Sequence, residues 1–190
     1  MDGVKSIVKI GWVISEHIKP KSVDIVTIKS IAPTWGGCMV YESYAIDNVI
    51  CHDFQQSKKM IRRNIQDSCN FYIPESNYAS LSRPANVNFY NGEFKDENIN
   101  HRDEIVAMNI TSQLYDVVLL LGFGFAKPKM KDKLEIHKVL AYQHNVKTII
   151  ADNHQVQFVL VNYRGKLSNE YNEIGNLTRD SLSNVLKMLK

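Results

Sequence analysis

Two histidine–carboxylate pairs, one glycine turn and two groups of basic residues are the parts of this 190-residue sequence that could do chemistry. His52-Asp53 and Asp152-x-His154 each place an imidazole beside a carboxylate. If their strands are neighbours, the four groups could hold a divalent cation, or work as acid and base with His52 or His154 as the general base. Both pairs also suit structural roles. Asp53 can cap a helix beginning near Gln55, and Asp152 and His154 can shape a hairpin turn. Gly122-Phe123-Gly124 directly follows five apolar residues. Glycine at the end of a buried strand lets a phosphate or a ligand approach the backbone closely, or simply makes a tight turn. It does not open a GxGxxG dinucleotide fingerprint, because Lys127 stands where the third glycine would fall.

Lys58, Lys59, Arg62 and Arg63 recur at i and i+4 on one helical segment, and Lys127, Lys129, Lys131 and Lys133 form a second group. Either could meet phosphates or an acidic protein, or be a solvated helix face. Aromatic residues do not interleave with them, so a stacking platform for single strands is not indicated. Trp35, Tyr41 and Tyr44 fall in an irregular zone, 31–47, where they could line a ligand pocket or seal a sheet edge. No GxSxG elbow, P-loop or HExxH occurs. Cys51 and His52 are adjacent on an extended segment, where successive side chains point to opposite faces, so they do not form a nucleophile–base pair.

Short apolar runs at 7–14, 48–51, 70–73, 87–90, 117–121, 148–151 and 158–161 read as strands. Most are continuous rather than alternating, as in parallel strands covered on both faces. Helical apolar faces lie between them, at 55–67, 102–115 and 130–144, and after them at 179–190. Thr178 is the expected cap of the last helix. His137 falls on the apolar stripe of its helix and reads as a core or boundary residue.

Alternation of strand and helix predicts one α/β domain over 1–190, with a doubly wound, mostly parallel sheet and helices on both faces. The link 152–157 is too short for a crossover, so strands 148–151 and 158–161 are expected to be antiparallel at a sheet edge. That edge could pair across a two-fold axis, giving a homodimer. In such a sheet ligands bind beyond the carboxyl ends of the strands. The expected site therefore draws on Ser15, Glu16, His17, His52, Asp53, Pro74, Glu75, Ser76, Asn91, Gly92, Glu93, Gly122, Phe123, Gly124, Asp152, Asn153 and His154.

Composition sets the outer bounds. Apolar residues make up 44% of the chain and charged residues 23%, which excludes wholesale disorder. A net charge of +3 is weaker than a dedicated nucleic-acid-binding domain usually carries. The three cysteines, with no CxxC, argue against a disulfide framework and a thiolate zinc site, and suit a reducing cytoplasm. The apolar stretch 7–14 is broken by Lys9 and Gly11 and is followed by no small-residue cleavage site, so no signal peptide is expected. The longest apolar run, 117–121, is far too short to span a membrane.

The segment 102–125, a helix running into DVVLLLGFGF, resembles a motif of the Rossmann-like superfamily that includes bacterial sialyltransferases and pterin-pyrophosphokinase-like proteins. There a helix feeds a strand that ends in a Leu-Gly-x-Asp-type turn. The likeness covers about one-eighth of the chain, a single βα unit, and position 124 is glycine where the superfamily has an acidic residue. It implies a Rossmann-like fold and, by extension, transferase chemistry. The small size and the lack of enzyme motifs also look like those of bacteriophage accessory proteins.

Three functions are consistent with these features. The first is a Rossmann-like binding protein holding a nucleotide or sugar-nucleotide through Gly122, Gly124, Asp53 and Asp152, with Trp35 as a cover. The second is a small glycosyl- or phosphoryl-transferase using His52 or His154 as base. The third is a phage-type interaction protein that binds and inhibits a host factor through Lys58, Lys59, Arg62 and Arg63.

Overall fold

Strands form where most of the apolar runs predict them, and they share one eight-stranded sheet. The computed structural model describes residues 7–18, 24–91, 103–124, 133–162, 167 and 169–189. In chain order the elements are β1 (Ile10–Ile14), α1 (Ile25–Lys29), β2 (Thr34–Gly37), α2 (Cys38–Tyr44), β3 (Asn48–Ile50), α3 (Phe54–Arg62), β4 (Asn70–Pro74), α4 (Glu75–Ser80) and β5 (Val87–Tyr90). They continue with α5 (Asp103–Leu114), β6 (Val117–Leu121), α6 (Lys133–Asp152), β7 (Gln157–Val161), α7 (Asn169–Asn172), β8 (Leu177–Asp180) and α8 (Leu182–Met188).

The strand order is β5-β4-β3-β2-β1-β6-β7-β8, and every pairing among the described residues is parallel. The chain winds outward from β1 to β5, returns to the centre through α5, then winds outward the other way from β6 to β8. This is a Rossmann-like layout, and its order reverses between β1 and β6.

Apolar side chains of the central strands alternate between two cores. Val13, Val118 and Leu120 face α5, α6 and Tyr171 of α7. Trp12, Ile14, Leu119 and Leu121 face Ile28 of α1, Val40 of α2, Met60 of α3 and Val185 of α8. Both faces are covered, which is why the strands read as unbroken apolar runs.

The antiparallel edge is not present. Residues 148–151 are the end of helix α6, and β7 runs parallel to both β6 and β8. Taken alone, Thr148-Ile149-Ile150 is rich in β-branched residues and mimics a strand. Over a longer window Tyr142, Val146, Ile149 and Ile150 follow the helical period, and all four are buried. The link 152–157 therefore joins a helix to a strand and needs no crossover of its own. It also follows that β7 is interior and that β5 and β8 are the edges, so the dimer expected through 158–161 has no free strand there. Thr178 lies in β8, and Ser181 caps α8 instead, its Oγ accepting from the Asn184 amide at 3.1 Å. His137 is exposed.

The cysteines are a second correction. Register pairs Gly37 with Ile50 across β2 and β3, so the residues that follow them, Cys38 and Cys51, meet. They are bonded as a disulfide, with Cα atoms 5.7 Å apart and a sequence separation of 13. Spacing along the chain gives no hint of this pair, because parallel register creates it.

Candidate functional site

Helix α5 decides where polar groups gather. It returns from the β5 edge to the centre, packing over β1, β2, β3 and β6 and against α6. Running opposite to the strands, it starts at their carboxyl ends. It is buried on nearly every side, with Ile105, Val106, Ala107, Met108, Thr111 and Ser112 inside. Its first two residues, the half-buried Asp103 and the buried Glu104, are thus carried inward as well, at a helix end whose dipole favours negative charge.

These two carboxyl groups tie the strand ends together. Glu104 is only 2% exposed. Its Oε1 accepts from Ser15 Oγ at 3.0 Å and from the Glu16 amide at 2.7 Å, just after β1. Its Oε2 accepts from Tyr142 Oη of α6 at 2.8 Å. Asp103 Oδ1 accepts from the His52 amide at 2.8 Å, after β3, and Oδ2 accepts from the Cys38 amide at 3.3 Å, after β2. Gly37 is required beneath it, because a Cβ there would come within 2.8 Å of Asp103 Cβ and Oδ2.

Burial raises the Asp103 carboxyl to about 7, with the Glu104 and Glu16 charges adding to it and the two amide hydrogen bonds opposing it. His52 stands beside this group, its Nδ1 3.0 Å from Tyr90 Oη at the end of β5, while its carbonyl accepts from Asn77 Nδ2 of α4 at 2.7 Å. Burial, and then the nearby Asp103 charge, push the Tyr90 phenol far above its ordinary range. The carboxyl ends of β1, β2, β3 and β5 therefore meet the start of α5 around a cluster of Ser15, Glu16, His52, Tyr90, Asp103 and Glu104. A carboxyl raised toward neutrality, with the His52 amide on one oxygen and the His52 ring turned to Tyr90, is the group here best suited to exchange a proton.

The expected residues divide between the two ends of the sheet. Ser15, Glu16, His17, His52, Gly122 and Gly124 are at the carboxyl end. Asp53 is there too and caps α3, its Oδ1 accepting from the Gln56 amide at 2.7 Å. Asp152, the last residue of α6, and His154, in the turn before β7, are at the other end, so they do not meet His52 and Asp53. Trp35 is not a cover. It is 3% exposed in the core, against Tyr72 with ring centroids 5.3 Å apart, and its Nε1 donates to Tyr115 Oη at 3.1 Å. Gly92, Glu93, Lys127, Lys129 and Lys131 lie outside the described residues. Among the described residues no group of three or more His, Cys, Asp or Glu could hold a metal ion. On the basic helix, Glu42 of α2 sits 3.1 Å from Arg63 and 3.8 Å from Lys59, drawing two of its four cations into internal pairs.

Sequence reasoning missed Asp103, Glu104, Tyr90, Asn77 and Tyr142. One signal was available for the first two: an acidic pair opening a helix that is apolar on most sides must be buried with it. Two polar clefts, of about 420 and 520 Å3, open at the amino end of the sheet. Among their polar groups, Asn70 Nδ2 donates to Asn48 Oδ1, Asn48 Nδ2 donates to the Thr34 carbonyl, and Asp47 holds Lys29 and Thr34, while Gln66 Oε1 is buried without a hydrogen bond.

Gly122 opens the turn after β6 with φ of +84°, and a Cβ there would lie 3.1 Å from Ile18 Cβ. Gly122→Ala is expected to cost about 1–3 kcal/mol in urea unfolding. Gly124, where a Cβ would meet nothing within 4 Å, should change by less than about 0.5 kcal/mol as Gly124→Ala. Equal costs at the two positions would show that the positive φ of Gly122 is not needed.

The chain matches no protein-family model, no curated protein and no solved structure. Among the described residues no helix is long and apolar enough to cross a membrane.

Proposed function

We propose that this chain is a Rossmann-like binding protein that takes a nucleotide or sugar-nucleotide at the carboxyl end of the sheet. One observation carries the reading. The strand order reverses between β1 and β6, and the buried polar cluster lies at that same end. The amides of Glu16, Cys38 and His52 already serve Glu104 and Asp103. With those amides committed and carboxyl groups beside them, the β1–β3 side favours sugar hydroxyls over phosphates. Phosphates belong at the β6 side, where Gly124 is exposed and open, while Ile18 packs over Gly122.

The test is thermal unfolding with nucleoside diphosphates, nucleoside diphosphate sugars, free ribose and inorganic phosphate. A ligand at a hundredfold its Kd stabilises the fold by about 2.7 kcal/mol, a readily measured rise in melting temperature. A rise with the diphosphate sugars, absent in His52→Ala, supports the reading. No shift across the panel overturns it. A transferase is the second reading, favoured by the 3.0 Å contact between His52 and Tyr90 beside Asp103. It requires turnover of the donor in the same samples, lost in His52→Ala.

A further inference from the structure

We propose that Cys38 and Cys51 form a reversible thiol-redox modification site, written by low-molecular-weight disulfides, that controls how tightly Asp103 is held at the floor of the candidate site. The inference does not depend on which ligand that site takes.

Position is the first argument. Cys38 opens α2 directly after β2, and Cys51 directly follows β3. Their Cα separation of 5.7 Å falls inside the range a disulfide spans. The same two loops are joined a second time by Asp103, through the amides of Cys38 and His52. A change in the sulfur link therefore acts on the loops that grip this carboxyl.

Accommodation of both states is the second argument. Each sulfur, when it carries a proton, has a carbonyl to donate to: Ile50 O at 3.6 Å for Cys38, and Asp53 O at 3.9 Å for Cys51. The reduced thiols thus have acceptors in the same geometry that holds the disulfide. Non-bonded sulfurs need more room than bonded ones, so reduction parts the loops. The longer of the two Asp103 contacts, 3.3 Å to the Cys38 amide, is the one it loosens first.

Competition is the third. Cys69 lies just before β4, on the opposite end of the sheet, and burial pushes its thiol up to about 11. From that end of the sheet it is placed to close no bond with Cys38 or Cys51, which lie at the carboxyl ends of β2 and β3.

The chemistry balances with a small disulfide, RSSR, as oxidant. One protein thiol loses its proton to solvent and its thiolate attacks RSSR, forming a mixed disulfide and releasing RS⁻. The second protein thiol loses its proton and displaces the remaining R group as RS⁻. Two S–H bonds and one S–S bond are broken, the Cys38–Cys51 bond is formed, and the two electrons leave with the two RS⁻, which take up the protons as RSH. Excess dithiol reverses the sequence. Both sulfurs are buried, 3% and 0% exposed, so exchange waits on local opening.

The experiment uses the wild-type chain. It is equilibrated in reduced and oxidised glutathione at several ratios, quenched in acid, and alkylated under denaturing conditions for peptide mass analysis. In parallel, the Asp103 carboxyl carbon is titrated by NMR in the fully oxidised and fully reduced protein. Glu16, His52, Tyr90 and Glu104 face Asp103 and are the same in both states, so their influence is held constant. The expected result is that Cys38 and Cys51 lose their alkylation together while Cys69 keeps it, and that the Asp103 midpoint rises on reduction as the Cys38 amide bond weakens. Three results would overturn the proposal: Cys38 and Cys51 alkylated at every ratio, a bond that excess dithiol does not open, or a pair that cycles with the Asp103 midpoint unmoved.

Discussion

Glu104→Ala is expected to lose about 3–5 kcal/mol of stability, among the largest costs of any single substitution in this chain. The acceptor it removes serves three donors at once: the Ser15 hydroxyl, the Glu16 amide and the Tyr142 hydroxyl. Ser15 and Tyr142 are both buried, so the orphaned groups have little recourse to water. Leaving a buried donor unmade costs about 1–3 kcal/mol each, and partial relaxation keeps the total below the simple sum. Tyr142→Phe removes one donor and leaves the carboxyl its other two partners, so it should cost only about 1–2 kcal/mol. Glu104→Gln keeps an acceptor for the β1 loop and turns an amide toward the Tyr142 oxygen, so it should recover much of the loss. Urea unfolding of the three variants checks the ranking. An alanine variant within about 1 kcal/mol of wild type would mean that the strand ends are not held by this group.

Glu104 also shows what a sequence reading captures and what it omits. The strands at 117–121 and 87–90 were legible, because a short apolar run between turn residues has few other uses. Helix α5 was legible for the same reason, through its apolar content. The carboxyl groups at its start were not singled out, since acidic residues at a helix N-terminus are ordinary there. Their importance comes from the return path of α5 across the sheet, which is a property of strand order. Sheet order is non-local, and no local period encodes it.

The irregular zone hid a central strand. Thr-Trp-Gly-Gly, which forms β2, carries one large apolar residue in four, so the strand signal is weak even though all four positions are buried. At the far edge, β8 reads Leu-Thr-Arg-Asp and is half-exposed, and such an edge strand offers no apolar run to detect. The pairing of His52 with His154 failed for a different cause. Residues 148–151 read as a strand but are the last turn of α6, so His154 lies at the opposite end of the sheet from His52. Sites assembled from strand ends are thus sensitive to a single misassigned element, while the fold class is not.

Asp103 should give this protein a pH dependence opposite to that of most carboxylates. Its folded pKa, about 7, lies above the ordinary carboxyl value of 3.8. Below about pH 4 the group is protonated in both the folded and unfolded chains and has no differential effect. As the pH rises from 4 to 7, the unfolded chain gives up this proton while the folded chain keeps it. The folded state then binds more protons than the unfolded, so stability contributed here falls with rising pH. The decline totals on the order of a few kcal/mol, at about 1.4 kcal/mol per pH unit, and levels off above pH 7 where both states are ionised. Asp103→Asn removes the titration. Its amide can still accept from the His52 N–H, but its NH₂ faces the Cys38 N–H, which adds a fixed cost of about 1–2 kcal/mol at every pH. The difference in unfolding free energy, wild type minus variant, should therefore be largest near pH 4 and shrink toward pH 7. Every other titrating group is common to the two chains and cancels to first order. Two stability curves that stay parallel from pH 4 to 8 would mean that Asp103 ionises in the folded protein as readily as in water, and would remove the argument that it can exchange a proton at neutral pH. A shrinking difference would place a neutral carboxyl beside His52 in the folded protein under mildly acidic conditions, with one proton available to the strand ends that Asp103 and Glu104 hold together.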